Sequence, residues 1–171
     1  MASATGWIAT GTAIQLAGLA LMAGGMLAIG AFAAPVMFKG LSRPEAGDLL
    51  TLIFRRYDSV IVTSLGLVLI GELVRVFPGQ LTWMSSGPVA WLRTALLVVL
   101  LAAGLYTTMV LNPQIERMHA AGIHPGGSPE GLQFSRVHKT SENLYKLEMA
   151  LSLLLILLTP YTLPLGPRGH G

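Results

Sequence analysis

The sequence predicts an all-α, polytopic membrane protein with four transmembrane helices in an antiparallel bundle. Of its 171 residues, 53% are hydrophobic and only 11% are charged, whereas a soluble domain carries about 25% charged residues. Four apolar stretches alternate with short polar intervals, and each approaches or exceeds the roughly 20 residues that a helix needs to cross a bilayer. Helix-start signals precede two of them. The mean hydropathy of +0.64 fits lipid as the solvent. No repeat, low-complexity tract or long linker divides the chain, so 1–171 reads as one membrane domain.

The first span covers about residues 7–34, from Trp7 to Ala34, and contains no charged residue. It is too long for a secretory signal and no basic residue precedes it, so an uncleaved span is expected. Pro35 leads into a polar interval with Lys39, Arg43, Glu45 and Asp48. Ser42-Arg43-Pro44-Glu45 has the S-x-x-E form of a capping box, which predicts an amphipathic helix starting near residue 43. That helix feeds the second span, about 60–77, and Pro78-Gly79 ends it. The third span covers about 88–111, with Trp83 and Trp91 where aromatic rings favour the membrane interface. Asn112-Pro113 disturbs or closes it. Residues 123–131 have the glycine and proline content of a loop. Ser128-Pro129-Glu130 then supplies a cap, with proline in the first turn of a long fourth helix starting near 129. Its first half is amphipathic, its second half forms the span at about 147–163, and Pro160 and Pro164 mark its end.

The 11 basic residues exceed the 8 acidic ones and the isoelectric point is about 9.6, but the basic residues are scattered around apolar spans. That pattern points to membrane orientation and away from nucleic acid. Lys39, Arg43, Arg55 and Arg56 flank the first connection, and Arg117, Arg136, Lys139 and Lys146 flank the third. The opposite side has Arg75, Arg93 and Arg168. The positive-inside rule therefore predicts both termini outside the cytoplasm. The absence of cysteine excludes a disulfide framework, a thiolate metal site and a cysteine nucleophile. An Ala-, Gly- and Leu-rich, cysteine-free chain suggests a bacterial inner membrane.

Three groups of residues are candidate sites. Phe134, His138, Ser141, Tyr145, Glu148 and Ser152 recur at steps of three or four, which places them on one face of the fourth helix. An ionisable residue at membrane depth faces protein or a wet cavity, so His138, Ser141, Tyr145 and Glu148 form a candidate polar site expected to point inward. Interhelical hydrogen bonding is its simpler role. Glu72 and Arg75 lie three apart near the end of the second span and Arg93 begins the third, giving a candidate ion-pair cluster that snorkelling to the interface would also explain. Ala20, Gly24 and Ala28 form a small-x-x-x-small ladder for close helix packing, within the protomer or against a partner.

No metal site or cofactor is predicted. His119, His124 and His138 belong to one side and His170 to the tail, so no two histidines face each other across spans to hold haem. Met22 and Met26, one turn apart, suit apolar packing better than copper. P-loop, dinucleotide-binding and H-E-x-x-H patterns are missing, so an enzyme is not expected.

Three segments run in one order over most of the chain. They are Gly30-Ala31-Phe32-Ala33-Ala34-Pro35-Val36-Met37-Phe38-Lys39-Gly40-Leu41, then Phe54-Arg55-Arg56-Tyr57, then Asn112-Pro113 with Phe134, Arg136, His138 and Ser141. Together they resemble the transmembrane-protein-205-like membrane family, a domain of unknown function. That family's pattern has an asparagine seven residues after the histidine, where this chain has Tyr145, and Asn143 lies on another face. The resemblance implies a four-helix membrane fold and brings no established reaction or cofactor.

The small size and the missing catalytic motifs favour an accessory subunit of a larger membrane complex, an energy-transducing one for example, with lipid and other integral membrane subunits as partners. The alternative is a small-solute or ion transporter using the polar stripe of the fourth helix. A haem-binding membrane protein comes third.

Overall fold

The computed structural model describes residues 4–76 and 87–163. Four helical rods, each long and apolar enough to cross a membrane, make up the fold, and no strand occurs among the described residues. The chain is an integral membrane protein. Rod α1 runs through Ala4–Leu27, a π-helical turn Ala28–Ala33, and Ala34–Gly40. Rod α2 is the single helix Arg43–Val76. Rod α3 joins Gly87–Tyr106, a second π-helical turn Thr107–Leu111, and Asn112–Ala120. Rod α4 is Pro129–Leu158, closed by a 3-10 turn Thr159–Thr162 that contains Pro160. Pro78-Gly79, Trp83 and Pro164 lie outside the described residues.

The start signals act as their chemistry requires. At the head of α2, Glu45 Oε2 accepts from the Ser42 backbone N–H at 3.0 Å and from the Ser42 hydroxyl at 2.7 Å, satisfying an otherwise orphaned helix-start donor. At the head of α4, Ser128 Oγ accepts from Gly131 N at 3.1 Å, and Pro129 occupies the first turn. Rod α3 ends in a Schellman motif: Ile123 N donates to Met118 O, Gly122 N donates to His119 O, and Gly122 takes φ 71°.

Pro35, at the expected end of the first span, does not close its helix, and Pro113, expected to disturb or close the third, disturbs it without closing it. Proline lacks an N–H and its ring collides with the carbonyl four residues back. In both rods the turn just before proline widens to the π pattern, so that Ala34 N donates to Ile29 O and Asn112 N to Thr107 O. Each helix then continues to Gly40 or Ala120. The amphipathic start near residue 43 and the second span likewise form one uninterrupted helix, because no breaker stands between them.

The rods form a ring in chain order. The most extensive packing is between α1 and α2, followed by α3 with α4 and then α1 with α4, and of the four neighbouring pairs α2 and α3 touch least. On their outer faces, Leu69, Ile70, Leu73, Val98, Met109 and Leu157 are exposed. The interior holds Leu19, Met22, Ile61, Leu100 and Leu155 together with buried Gln15, Ser64, Arg93, Thr107, Glu148 and Ser152. Polar groups inside and apolar ones outside suit a chain solvated by lipid.

The close approach of α1 to α2 rests on glycine. A Cβ added at Gly11 would lie 2.6 Å from Gly71 O, one at Gly18 would lie 2.7 Å from Ser64 O, and one at Gly25 would collide with the Tyr57 ring. These partners step by seven along both helices in opposite directions. The Tyr57 hydroxyl fixes the register by donating to Met22 O at 2.6 Å.

The ladder Ala20, Gly24 and Ala28 does not make this contact. All three residues are exposed, and a Cβ at Gly24 would meet nothing within 4 Å. Spacing alone marks two small-residue faces on α1, and the heptad of Gly11, Gly18 and Gly25 is the one that meets α2.

Candidate functional site: buried polar clusters of the bundle

The interior polar residues gather in three places along the bundle. Near the end where α2 stops and α3 begins, Arg93 and Glu72 form a two-pronged ion pair: NH1 donates to Glu72 Oε1 at 3.1 Å, and NH2 donates to Glu72 Oε2. Gln15 ties this pair to α1. Its Nε2 donates to Glu72 Oε2 at 3.0 Å, and its Oε1 accepts from Arg93 NH2 at 2.6 Å and from Arg75 NH1 at 3.3 Å. Arg75 reaches Thr162 Oγ1 with NH2 at 3.0 Å. Glu72 and Arg93 therefore meet directly, while Arg75 joins through Gln15. With the Arg93 side chain only 4% exposed, the fork and the glutamine pair both terminal nitrogens of the buried guanidinium, while its Nε has no partner among the described residues.

At the opposite, basic end, Asn112 uses both amide protons. One goes to Asp58 Oδ1 at 2.7 Å and the other to the Tyr145 oxygen at 2.9 Å. The Tyr145 hydroxyl in turn donates to Asp58 Oδ1 at 3.2 Å, and the Tyr145 ring stacks on Phe54 with centroids 5.5 Å apart. The wide turn of α3 places Asn112 here, since an extra residue per turn lets both buried Leu111 and Asn112 face the bundle.

Between these clusters lies Glu148, fully buried on α4. Its Oε1 is 2.7 Å from Thr107 Oγ1, and its Oε2 has no hydrogen-bond partner among the described residues. Thr107 Oγ1 also lies 3.0 Å from Ala103 O. A hydroxyl has one proton to give. If Thr107 donates it to Ala103, Thr107 can accept a proton from the Glu148 carboxyl, an arrangement that pairs both groups. Ser152 Oγ, one turn on, donates to Glu148 O at 2.8 Å.

The structure divides the stripe read on the fourth helix. Ser141, Glu148 and Ser152 are buried and Tyr145 is half-buried, whereas His138 is exposed. His138 departs from the inward expectation because it lies on the basic end of α4, where its ring stacks on Phe134 with centroids 6.0 Å apart. His119 packs edge-on against the same Phe134 at 5.3 Å and lies 6.1 Å from His124. No group of three or more His, Asp or Glu suited to a metal ion occurs among the described residues. Asn143 is exposed.

Sequence reasoning missed Gln15, Asp58, Thr107 and Asn112 as site residues. Gln15 and Thr107 had a usable signal, a polar residue inside an apolar span. Asn112 had none apart from Pro113, which suggested only a disturbed or closed helix.

A family model described as "Domain of unknown function (DUF4149)" matches residues 17–124. The chain belongs to the DUF4149 family. The comparisons name no transmembrane-protein-205-like family, and no curated protein or solved structure matches the chain. The DUF4149 match covers Asp58, Glu72, Arg75, Arg93, Thr107 and Asn112. Rod α4 lies beyond it, so Tyr145 and Glu148 complete clusters whose other partners belong to the DUF4149 stretch, while the ion-pair cluster draws Gln15 and Thr162 from outside it.

Proposed function

We propose that this DUF4149 protein is an accessory subunit of a larger integral membrane complex and meets its partner through the outer face of α1. The observation that carries this reading is an unbroken exposed line of Ala13, Ala17, Ala20, Gly24, Ala28 and Ala31. Internal packing accounts for the glycines on the opposite face of the same helix, and leaves this line unexplained. Small residues let helix backbones approach closely, and such contact drives helix association where lipid removes the hydrophobic contrast. A bacterial inner membrane, with both termini outside the cytoplasm, suits the composition and the charge distribution.

Gly24→Leu tests this reading, because its side chain has free space within the protomer. The expected result is an unchanged melting temperature in detergent together with loss of the proteins that co-purify from native membranes. Retention of every partner would remove α1 from the interface.

Passage of a small solute or ion through the bundle is the second reading, supported by the buried Glu148 oxygen that lacks a partner among the described residues. Haem binding has less support, since His119 and His138 both pack on Phe134 at the basic end.

A further inference from the structure

We propose that Glu148 is a proton-binding site inside the bundle that exchanges with the basic end through Tyr145 and Asp58. Glu148 is fully buried, and its Oε2 has no partner among the described residues to tie it down. Tyr145 lies three residues before it on the same face of α4, the spacing at which helical side chains are neighbours, and the two groups interact electrostatically. The Tyr145 hydroxyl already donates to Asp58, and Asp58 is only half-buried.

The groups facing Glu148 come from three rods. Rod α2 contributes Tyr57 and Asp58, α4 contributes Tyr145, and α3 contributes the Thr107 hydroxyl. Rod α1 carries no titratable side chain before Lys39. Among the described residues no cation stands beside Glu148 to hold it as a carboxylate, whereas Asp58 receives two hydrogen bonds, from Asn112 and Tyr145, that suit a carboxylate. Their surroundings therefore favour the proton on Glu148 over Asp58.

The transfer balances. The Glu148 carboxyl proton passes to the Tyr145 oxygen as the Tyr145 O–H proton passes to Asp58 Oδ1. Tyrosine ends unchanged, Glu148 becomes a carboxylate and Asp58 an acid, and water at the basic end takes the proton from Asp58. A Glu148 carboxylate is costly in a dry bundle, so loss of the proton would be coupled to rearrangement of the α3–α4 contact at Thr107.

The test is infrared difference spectroscopy of the full chain in phospholipid vesicles as D2O replaces H2O, with melting temperatures read alongside. Wild type should show a protonated-carboxyl C=O band that moves to lower frequency as its proton exchanges, and Glu148→Gln should lack it. Exchange should slow by at least about tenfold in Tyr145→Phe and in Asp58→Asn, the scale expected when a proton relay loses a member. The surface control Glu142→Gln should exchange at the wild-type rate. If Asp58→Asn fails to fold, Tyr145→Phe decides alone. A band that survives Glu148→Gln, one that never exchanges, or one whose exchange is equally fast in Tyr145→Phe would overturn the proposal.

Discussion

Gly18 of α1 and Ser64 of α2 approach so closely that a Cβ at residue 18 would lie 2.7 Å from the Ser64 carbonyl oxygen. Backbone, and not a flexible side chain, blocks that space. Gly18→Leu should therefore separate the two rods and lower stability by about 3 kcal/mol or more, at or beyond the upper end for an overpacked core. Reversible unfolding in mixed micelles measures it, with Gly24→Leu expected to stay near wild type. Equal stability of the two variants would contradict the packing register.

The ion pair at the other end should show strong coupling. Arg93→Met leaves the Glu72 carboxylate without its fork, and Glu72→Gln leaves Arg93 without its anion, each costing about 3–5 kcal/mol. The double variant should cost clearly less than the two singles combined, since neither charge is then left alone. A double-mutant cycle on unfolding free energies checks this, and simple additivity would show that the pair is not coupled.

Tyr145→Phe removes one hydroxyl that donates to Asp58 and accepts from Asn112. The expected loss is about 1–2 kcal/mol, the scale of a hydrogen bond to a charged group together with an amide proton left unpaired. The ring should keep its stacking on Phe54, so the near-ultraviolet aromatic signal should persist. Collapse of that signal would mean that the hydroxyl holds the ring in place.

Lys146 and Glu142 are exposed partners one helical turn apart. Glu142→Gln should change stability by no more than about 0.5 kcal/mol, because water and salt screen such pairs. Unfolding at low and at high salt checks it: the small difference should shrink further at high salt.

Topology is open to direct labelling. Cysteines placed singly at Ser3 and Ser128 should react oppositely with an impermeant reagent applied to intact cells: position 3 labelled, position 128 protected. The reverse pattern would invert the predicted orientation.

The sequence by itself determined the number of spans, the helical class and the helix starts at Ser42 and Ser128, because span length, hydropathy and capping are local properties. It also marked Glu148 as unsuited to lipid. What it could not decide was which helix face meets which neighbour. In lipid, apolar residues suit both the outside and the inside of a bundle, so periodicity does not distinguish Gly18 from Gly24, nor predict that His138 faces outward while Ser141, one turn along, faces inward. Proline likewise signalled an end at Pro35 and an end or a disturbance at Pro113, and packing left only the disturbance, one wide turn ahead of each proline with the helix continuing beyond it. Tertiary contact decided these points: Asp58, Asn112 and Tyr145 come from three different helices, and only the packing of those helices brings their polar atoms within hydrogen-bonding reach.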